Sequence, residues 1–231
     1  MRWLLLLAAV YQAHSALVCD PQKFAGSYGV QLSGTTTISG EIKPVAAISR
    51  LVFDGKGSVS GYSSVNFTGL LLGNPVNGSY QAGTDCSLQW SLQDTSGAYQ
   101  HFAGTAASDY VRIRFRQTDK GAAHDGAMIR MPKECSVAIL SRLYDYTFSS
   151  GASGLLEVTG GGNLVVNSAD GLSAGRGTVQ IDSDCMAQFQ LTMPNTNAVI
   201  NLRGVLLDEG REIRAIQTDP GPAVTAKFTF R

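Results

Sequence analysis

One-sided charge, histidine, metal-ligand spacing and helical periodicity are all scarce in this chain of 231 residues, and each absence removes a class of function. Eighteen acids balance eighteen bases, so no global field draws the protein to nucleic acid or to an anionic membrane. Neither is expected as a partner. Charged residues make up only 16% against 44% apolar, which is not the composition of a disordered chain. No window keeps the apolar period of an amphipathic helix. No two cysteines have the Cys-x-x-Cys spacing, and past the first sixteen residues only His101 and His124 remain as further ligands. No metal site is expected. Neither histidine flanks a serine or cysteine nucleophile signature, so a hydrolase triad has no basis. Gly160-Gly161-Gly162 leads into a strand and is a hairpin rather than a phosphate cradle. Asp182-Ser183-Asp184 lacks the rest of a calcium loop and reads as a turn. No cofactor is expected.

What is present begins with a leader. Met1-Arg2-Trp3 followed by Leu4 to Val10 and small residues around Ala13-His14-Ser15-Ala16 has the order of a cleaved secretion signal, residues 1–16. The apolar run is interrupted at Tyr11-Gln12, well short of the 18 or so residues needed to span a bilayer. The mature chain is therefore expected to be secreted or lumenal, with no membrane span. Asn66-Phe67-Thr68 and Asn77-Gly78-Ser79 are glycosylation sequons. In a eukaryotic host at least one of Asn66 and Asn77 is expected to carry a glycan.

The remaining chain is a tandem repeat. Gly78, Gln81, Asp85 and Cys86 recur as Gly177, Gln180, Asp184 and Cys185, and Gln117-Thr118-Asp119 recurs as Gln217-Thr218-Asp219. Cys19 precedes Tyr28 by the interval that separates Cys135 from Tyr144. Repeat symmetry then selects one of the three possible connectivities, Cys19 to Cys86 and Cys135 to Cys185. Each bond closes a long loop, a stabilisation on the order of 3 to 4 kcal/mol in a chain-entropy estimate. Pro132-Lys133-Glu134 marks the boundary, giving repeats over 17–133 and 134–231.

Glycine is abundant at 26 residues, and each repeat divides into about eight short alternating segments separated by turn residues, such as Asp54-Gly55-Lys56-Gly57. Eight strands without helices bury a core as a sandwich or as a closed barrel; the even count and local hairpins favour the barrel. The expected fold is all-β, two antiparallel eight-stranded barrels in tandem, each with one internal disulfide. Such a barrel is filled by side chains or holds one small ligand.

The Gly-x-Tyr strand at Tyr28, the run Leu51-Val52-Phe53-Asp54-Gly55-Lys56-Gly57, and Gly78-Ser79-Tyr80 leading into Asp85-Cys86 resemble the allene oxide cyclase barrel-like, or calycin-like, domains of secreted microbial and fungal proteins. The resemblance covers most of the first repeat and, more weakly, the second. It implies a barrel that encloses an apolar small molecule, since related barrels include cofactor-free cyclases and small-molecule binders. The catalytic residues of the plant cyclases have no match here.

Candidate chemistry is sparse. Glu41, in a strand of threonine, serine and isoleucine, would have a raised pKa if buried beside Tyr28 and serve with it as an acid–base pair; the alternative is an exposed strand carboxylate. Arg112, Arg114 and Arg116 share one strand face and Val111, Ile113 and Phe115 the other. Either face points inward. Arg114 has a counterpart in Arg214, and Tyr28 in Tyr144; recurrence suits a structural role, core or rim packing for the tyrosines, as readily as a ligand site, and Arg114, Arg214 and Tyr144 are the ligand-binding candidates. Two functions remain open: a cofactor-free cyclase or isomerase of secondary metabolism, and a non-catalytic secreted binding or surface protein.

Overall fold

The computed structural model of the chain describes residues 18–38, 40–140 and 142–231. The expected signal segment, 1–16, lies outside the described residues. The first eight strands are β1 (Gly26–Ile38), β2 (Glu41–Phe53), β3 (Ser58–Phe67), β4 (Leu70–Ala82), β5 (Ser87–Asp94), β6 (Tyr99–Ala106), β7 (Arg112–Gln117) and β8 (Ala123–Arg130). Each pairs antiparallel with the next, and β8 returns to pair with β1, closing a barrel. A second closed barrel follows from β9 (Leu143–Phe148), β10 (Ser153–Val158), β11 (Asn163–Ser168), β12 (Ala174–Ile181), β13 (Met186–Thr192), β14 (Val199–Leu207), β15 (Glu212–Gln217) and β16 (Thr225–Phe230). Closure leaves no free sheet edge.

Alternation decides which side chains enter. Along β5, Leu88, Trp90 and Leu92 are buried while Gln89 is exposed; along β7, Ile113 and Phe115 are buried while Arg114 and Arg116 face water. Apolar inside and polar outside is the reverse of a lipid-facing barrel, whose outer surface is an apolar band. Among the described residues no helix is long and apolar enough to cross a membrane. At the turn after β2, Gly55 and Gly57 have φ of 78° and 104°, and the Asp54 carboxylate accepts from the amides of Lys56 and Ser58.

The residues shared between the repeats turn out to build the closed end of each barrel. The disulfides are Cys19–Cys86 and Cys135–Cys185, and they tie the segment entering each barrel to the turn before β5 or β13. Cys86 and Cys185 both sit in the left-handed region, at φ of 68° and 61°. A short 3-10 turn, Pro21–Phe24, buries Phe24 under the first barrel, and Val137–Leu140 buries Leu140 under the second. The Tyr28 hydroxyl donates to the Tyr110 carbonyl at 3.3 Å, and the Tyr144 hydroxyl to the Gly210 carbonyl at 2.7 Å. Each tyrosine pins the floor to the loop before β7 or β15.

Burial pushes both phenols up to about 12; at Tyr28 the nearby Arg130 opposes the shift without cancelling it. A folded pKa above the unfolded value of about 10 means that the associated stability is intact below pH 10 and is lost as pH rises toward 12. A spectrophotometric titration is therefore expected to show two phenols ionising only together with loss of the fold. Two-step titration of every tyrosine on a still-folded protein would contradict the floor role.

The barrels pack side by side. Ala46 and Ile48 of β2 and Ile129 of β8 point away from their own barrel interior and are fully buried in one cluster with Val205, Leu207 and Ile213. Gly29 permits the approach: a Cβ there would lie 2.3 Å from Leu207 Cδ2. Polar contacts flank the seam. Glu212 accepts from Arg112 Nη2 at 2.8 Å across it and from Arg214 Nε at 2.5 Å within its own strand. Gln31 donates to the Ala215 carbonyl at 3.0 Å. Burial by itself would raise the Glu212 pKa, but the hydrogen bonds from Arg112 and Arg214 outweigh it and hold the carboxyl below its usual range.

Candidate apolar cavity of the first barrel

The two barrels differ most in strand length. Tyr28 pairs with Leu51, and its counterpart Tyr144 with Leu156. From that level β1 runs ten residues on, to Ile38, whereas β9 runs four, to Phe148. Before Gly78, β4 has eight residues; before the matching Gly177, β12 has three. The first four strands of the first barrel thus rise some ~20 Å further along their length than the shortest wall of the second, at about 3.3 Å per residue. Gly40 and the turn at residues 68–69 stand above the opening.

That extension encloses a cavity of about 500 Å³. Its walls are Val30, Leu32, Val45, Ala47, Leu51, Val65, Val76, Leu92, Phe102 and Phe115, with Trp90 on one side. Wall residues keep a small exposure toward the hollow: Leu32 9%, Leu92 8%, Phe115 6%. At the matching level the second barrel is more closed: Leu191, the counterpart of Leu92, is 1% exposed and Ala215, the counterpart of Phe115, 0%. A depression of about 560 Å³ over the second barrel is lined largely by its loops, including Ser150–Ser153 and Pro194–Thr196. It opens at the end of the strands, where Tyr146, Phe148, Ser168, Ile200 and Gln217 join the loops.

Trp90 stacks on Phe102 at 5.2 Å between ring centroids and meets Phe115 edge-on at 5.1 Å. Its Nε1 is buried without an acceptor. On the β2–β3 wall the Ser49 hydroxyl donates to the Ser63 hydroxyl at 2.8 Å. In the second barrel the corresponding pair is Gly154 and Ser168, and Ser168 is occupied by its own turn, donating to Asp170.

The mouth is polar. Gln117 Nε2 donates to Asp119 Oδ2 at 2.8 Å, and Asp119 also takes the His101 backbone amide at 2.8 Å and faces His101 Nδ1 at 2.7 Å. Despite some desolvation, these bonds hold the Asp119 carboxyl below its usual range. With the Gln117 amide nitrogen directed to Asp119, its oxygen faces His124 Nδ1 at 2.5 Å, so Nδ1 carries the proton and Nε2 the lone pair. Burial lowers the His124 pKa, and the ring is neutral at pH 7. Asp219 repeats the scaffold in the second barrel through Asn201. The position of His124 is there occupied by Val224.

The sequence-derived candidates are not at this cavity. Tyr28 is fully buried in the floor, and its oxygen accepts from Arg130 Nη2 at 2.6 Å. Glu41 stands at the far end of the β1–β2 hairpin, exposed and paired with Lys43. Ten residues of β2 separate Glu41 from Leu51, the partner of Tyr28, or ~33 Å of strand; the acid–base pair is not formed. Tyr144 is a floor residue like Tyr28. Arg114 faces water on the outer wall. Arg214 lies in the seam between barrels, held by Glu212 and by Gln31 Oε1 at 3.3 Å. Alternation placed the arginine face outward, and the residues that do line the cavity, Trp90, Ser49, Ser63 and His124, carry no local signature.

The sequons also part. Asn66 is wholly buried; its Nδ2 donates to the Gln217 carbonyl of the second barrel at 2.8 Å and its Oδ1 accepts from the Gly69 amide at 2.7 Å. A glycan on that nitrogen is incompatible with the seam. Asn77 is exposed. Glycopeptide mapping of protein from a eukaryotic host is expected to find a glycan on Asn77 and none on Asn66; a substantially occupied Asn66 would contradict the packing.

No family model matches the chain, and no curated protein matches it in sequence. Among solved structures, a porin-like protein from Bacteroides uniformis shares 10% identity at a TM-score of 0.19, over 90% of this chain and 98% of that one. An AttH candidate from Nitrosomonas europaea shares 9% at a TM-score of 0.26, over 96% and 99%. Scores of this size carry no argument, and the barrel architecture rests on the strand pairing of the chain itself. Membership of the allene oxide cyclase family is not shown.

Proposed function

We propose that the chain is a secreted or lumenal protein whose first barrel binds one apolar small molecule, the second barrel serving as a solid support. The observation that carries this is the apolar-walled cavity of about 500 Å³ among the extended strands of the first barrel, within the usual range of small-molecule sites. Two disulfides are consistent with an oxidising compartment. An apolar lip supports the reading further: Leu70 and Leu72 pair across β3–β4 with Phe67 and Val65, which line the cavity, and yet are 61% and 41% exposed. On that side of the otherwise polar mouth a ligand entering or leaving is met by carbon. Native mass spectrometry of protein secreted from its own host, with extraction of co-purifying small molecules, tests the proposal. One apolar molecule per chain is expected; an empty protein that also gains no thermal stability from apolar metabolites would overturn it.

Cofactor-free cyclisation or isomerisation is a second reading, in line with the resemblance to the cyclase barrels. The residue to test for it is His124, a neutral imidazole lining the mouth, whose Nε2 is buried without a hydrogen-bond partner and would have to turn toward a ligand to act as a general base. It replaces Glu41 and Tyr28 as the residue to test. If a bound molecule is found to turn over, His124→Gln is expected to lower kcat by about 100-fold or more with little change in KM. An unchanged kcat would return the protein to the binding reading.

A further inference from the structure

We infer that the ligand of the first barrel carries a single oxygen function inside its carbon skeleton, recognised by the Ser49–Ser63 hydroxyl pair; this rests on the binding reading above and names the class of molecule bound. Below the mouth, these two serines are the only hydroxyl-bearing side chains among the described lining residues. Everything else at that depth is aliphatic or aromatic. Ser49 is 8% exposed, and the pair makes one bond, Ser49 donating to Ser63 at 2.8 Å. Among the described residues the proton of Ser63 meets no acceptor. Ser63 is half-buried, so its proton is open to the hollow, and a ligand that fills the hollow either offers it an acceptor or leaves it unpaired in an apolar wall at a cost.

The height of the pair fixes where the oxygen belongs. Ser49 stands two residues above Leu51, the deepest lining residue of β2, or ~7 Å along the strand. With one end of a linear molecule on the floor, its oxygen would sit five or six carbons from that end. The second barrel offers the contrast on the same scaffold: Gly154 replaces Ser49, and the Ser168 proton is already taken by Asp170 at 2.5 Å. The free hydroxyl belongs to the hollow barrel alone. An ether, epoxide, ketone or secondary alcohol satisfies the geometry. A fatty acid bound tail-first does not use it, since its oxygens stay at the mouth.

Displacement of the neutral fluorophore N-phenylnaphthylamine from the mature protein, by three compounds of equal carbon number, tests this. Dihexyl ketone has its carbonyl at mid-chain, methyl undecyl ketone near one end, and tridecane has none. Dihexyl ketone is expected to displace the fluorophore at about tenfold lower concentration than tridecane, the size of one recovered hydrogen bond, with methyl undecyl ketone close to tridecane. In the Ser49→Ala/Ser63→Ala protein the mid-chain advantage is expected to shrink to within twofold. Equal displacement by all three compounds in the unaltered protein overturns the oxygen subsite while leaving the binding proposal standing. Persistence of the advantage in the double alanine protein overturns it too. A fluorophore and three compounds that all fail to bind overturn both.

Discussion

Replacing Arg112 and Arg214 together with alanine is expected to cost about 3 to 5 kcal/mol at pH 7, the scale measured when a buried carboxylate loses its partners. Glu212 is 6% exposed, and among the described residues these two guanidiniums supply its ion pairs. One comes from each barrel, so the loss falls on the seam. The dependence on pH distinguishes this from lost packing. In the unaltered chain the Glu212 pKa is depressed, so its contribution is complete above the unfolded value of about 4.3 and fades as pH falls through the folded one. Without the arginines, burial alone acts, the pKa rises, and the carboxyl destabilises the fold increasingly as pH rises. The stability difference between the two proteins, from urea unfolding, is therefore expected to widen from pH 3 to pH 7. A constant difference would show that Glu212 is not the group responsible. A difference below about 1 kcal/mol would place the pair among ordinary surface ion pairs.

Filling the cavity is expected to have the largest effect on binding. Ala47 and Val76 both line it, from β2 and β4. Phenylalanine at both sites takes up space in which a ligand would bury about four methylenes, at ~0.8 kcal/mol each, so affinity should fall by about 100-fold or more. The fold should survive, because the new rings enter a hollow instead of a packed core. Folding stability that holds or rises while affinity collapses is the expected pair of results, from thermal unfolding and ligand titration on the same preparation. Unchanged affinity would place the ligand elsewhere, the loop-lined depression over the second barrel being next to test.

The barrels were legible because the signals that specify them are local. Alternation in β5 and β7, the glycine turn after β2 and the recurrence of Asp-Cys at 85–86 and 184–185 each act within a few residues, and the repeat paired the cysteines. The site was not legible, for a reason the repeat itself contains. Residues that recur, Tyr28 with Tyr144, Cys86 with Cys185, Asp119 with Asp219, are those both barrels need in order to close, and they collect at the floor or brace the mouth. The proposed site lies where the copies differ: Ser49 against Gly154, Trp90 against Phe189, His124 against Val224. Of the two readings that recurrence allowed, the structural one holds for Tyr28 and Tyr144. Glu41 failed for a different cause, the length of the β1–β2 hairpin, which carries it past the rim. The seam was hidden as well, since Asn66 reads as a surface sequon until Gln217 is seen against it.

The hollow first barrel is the central claim, and the chain contains its own reporter. Of two tryptophans, Trp3 lies in the expected signal segment, which leaves Trp90 alone in the mature protein, on the cavity wall. Titrating the mature protein with N-phenylnaphthylamine while exciting tryptophan measures energy transfer to a molecule inside that barrel. The account predicts saturable, one-to-one quenching of Trp90 emission that the Ala47→Phe/Val76→Phe protein loses over the same concentration range. Quenching that never saturates, or that persists undiminished with the cavity filled, would contradict it.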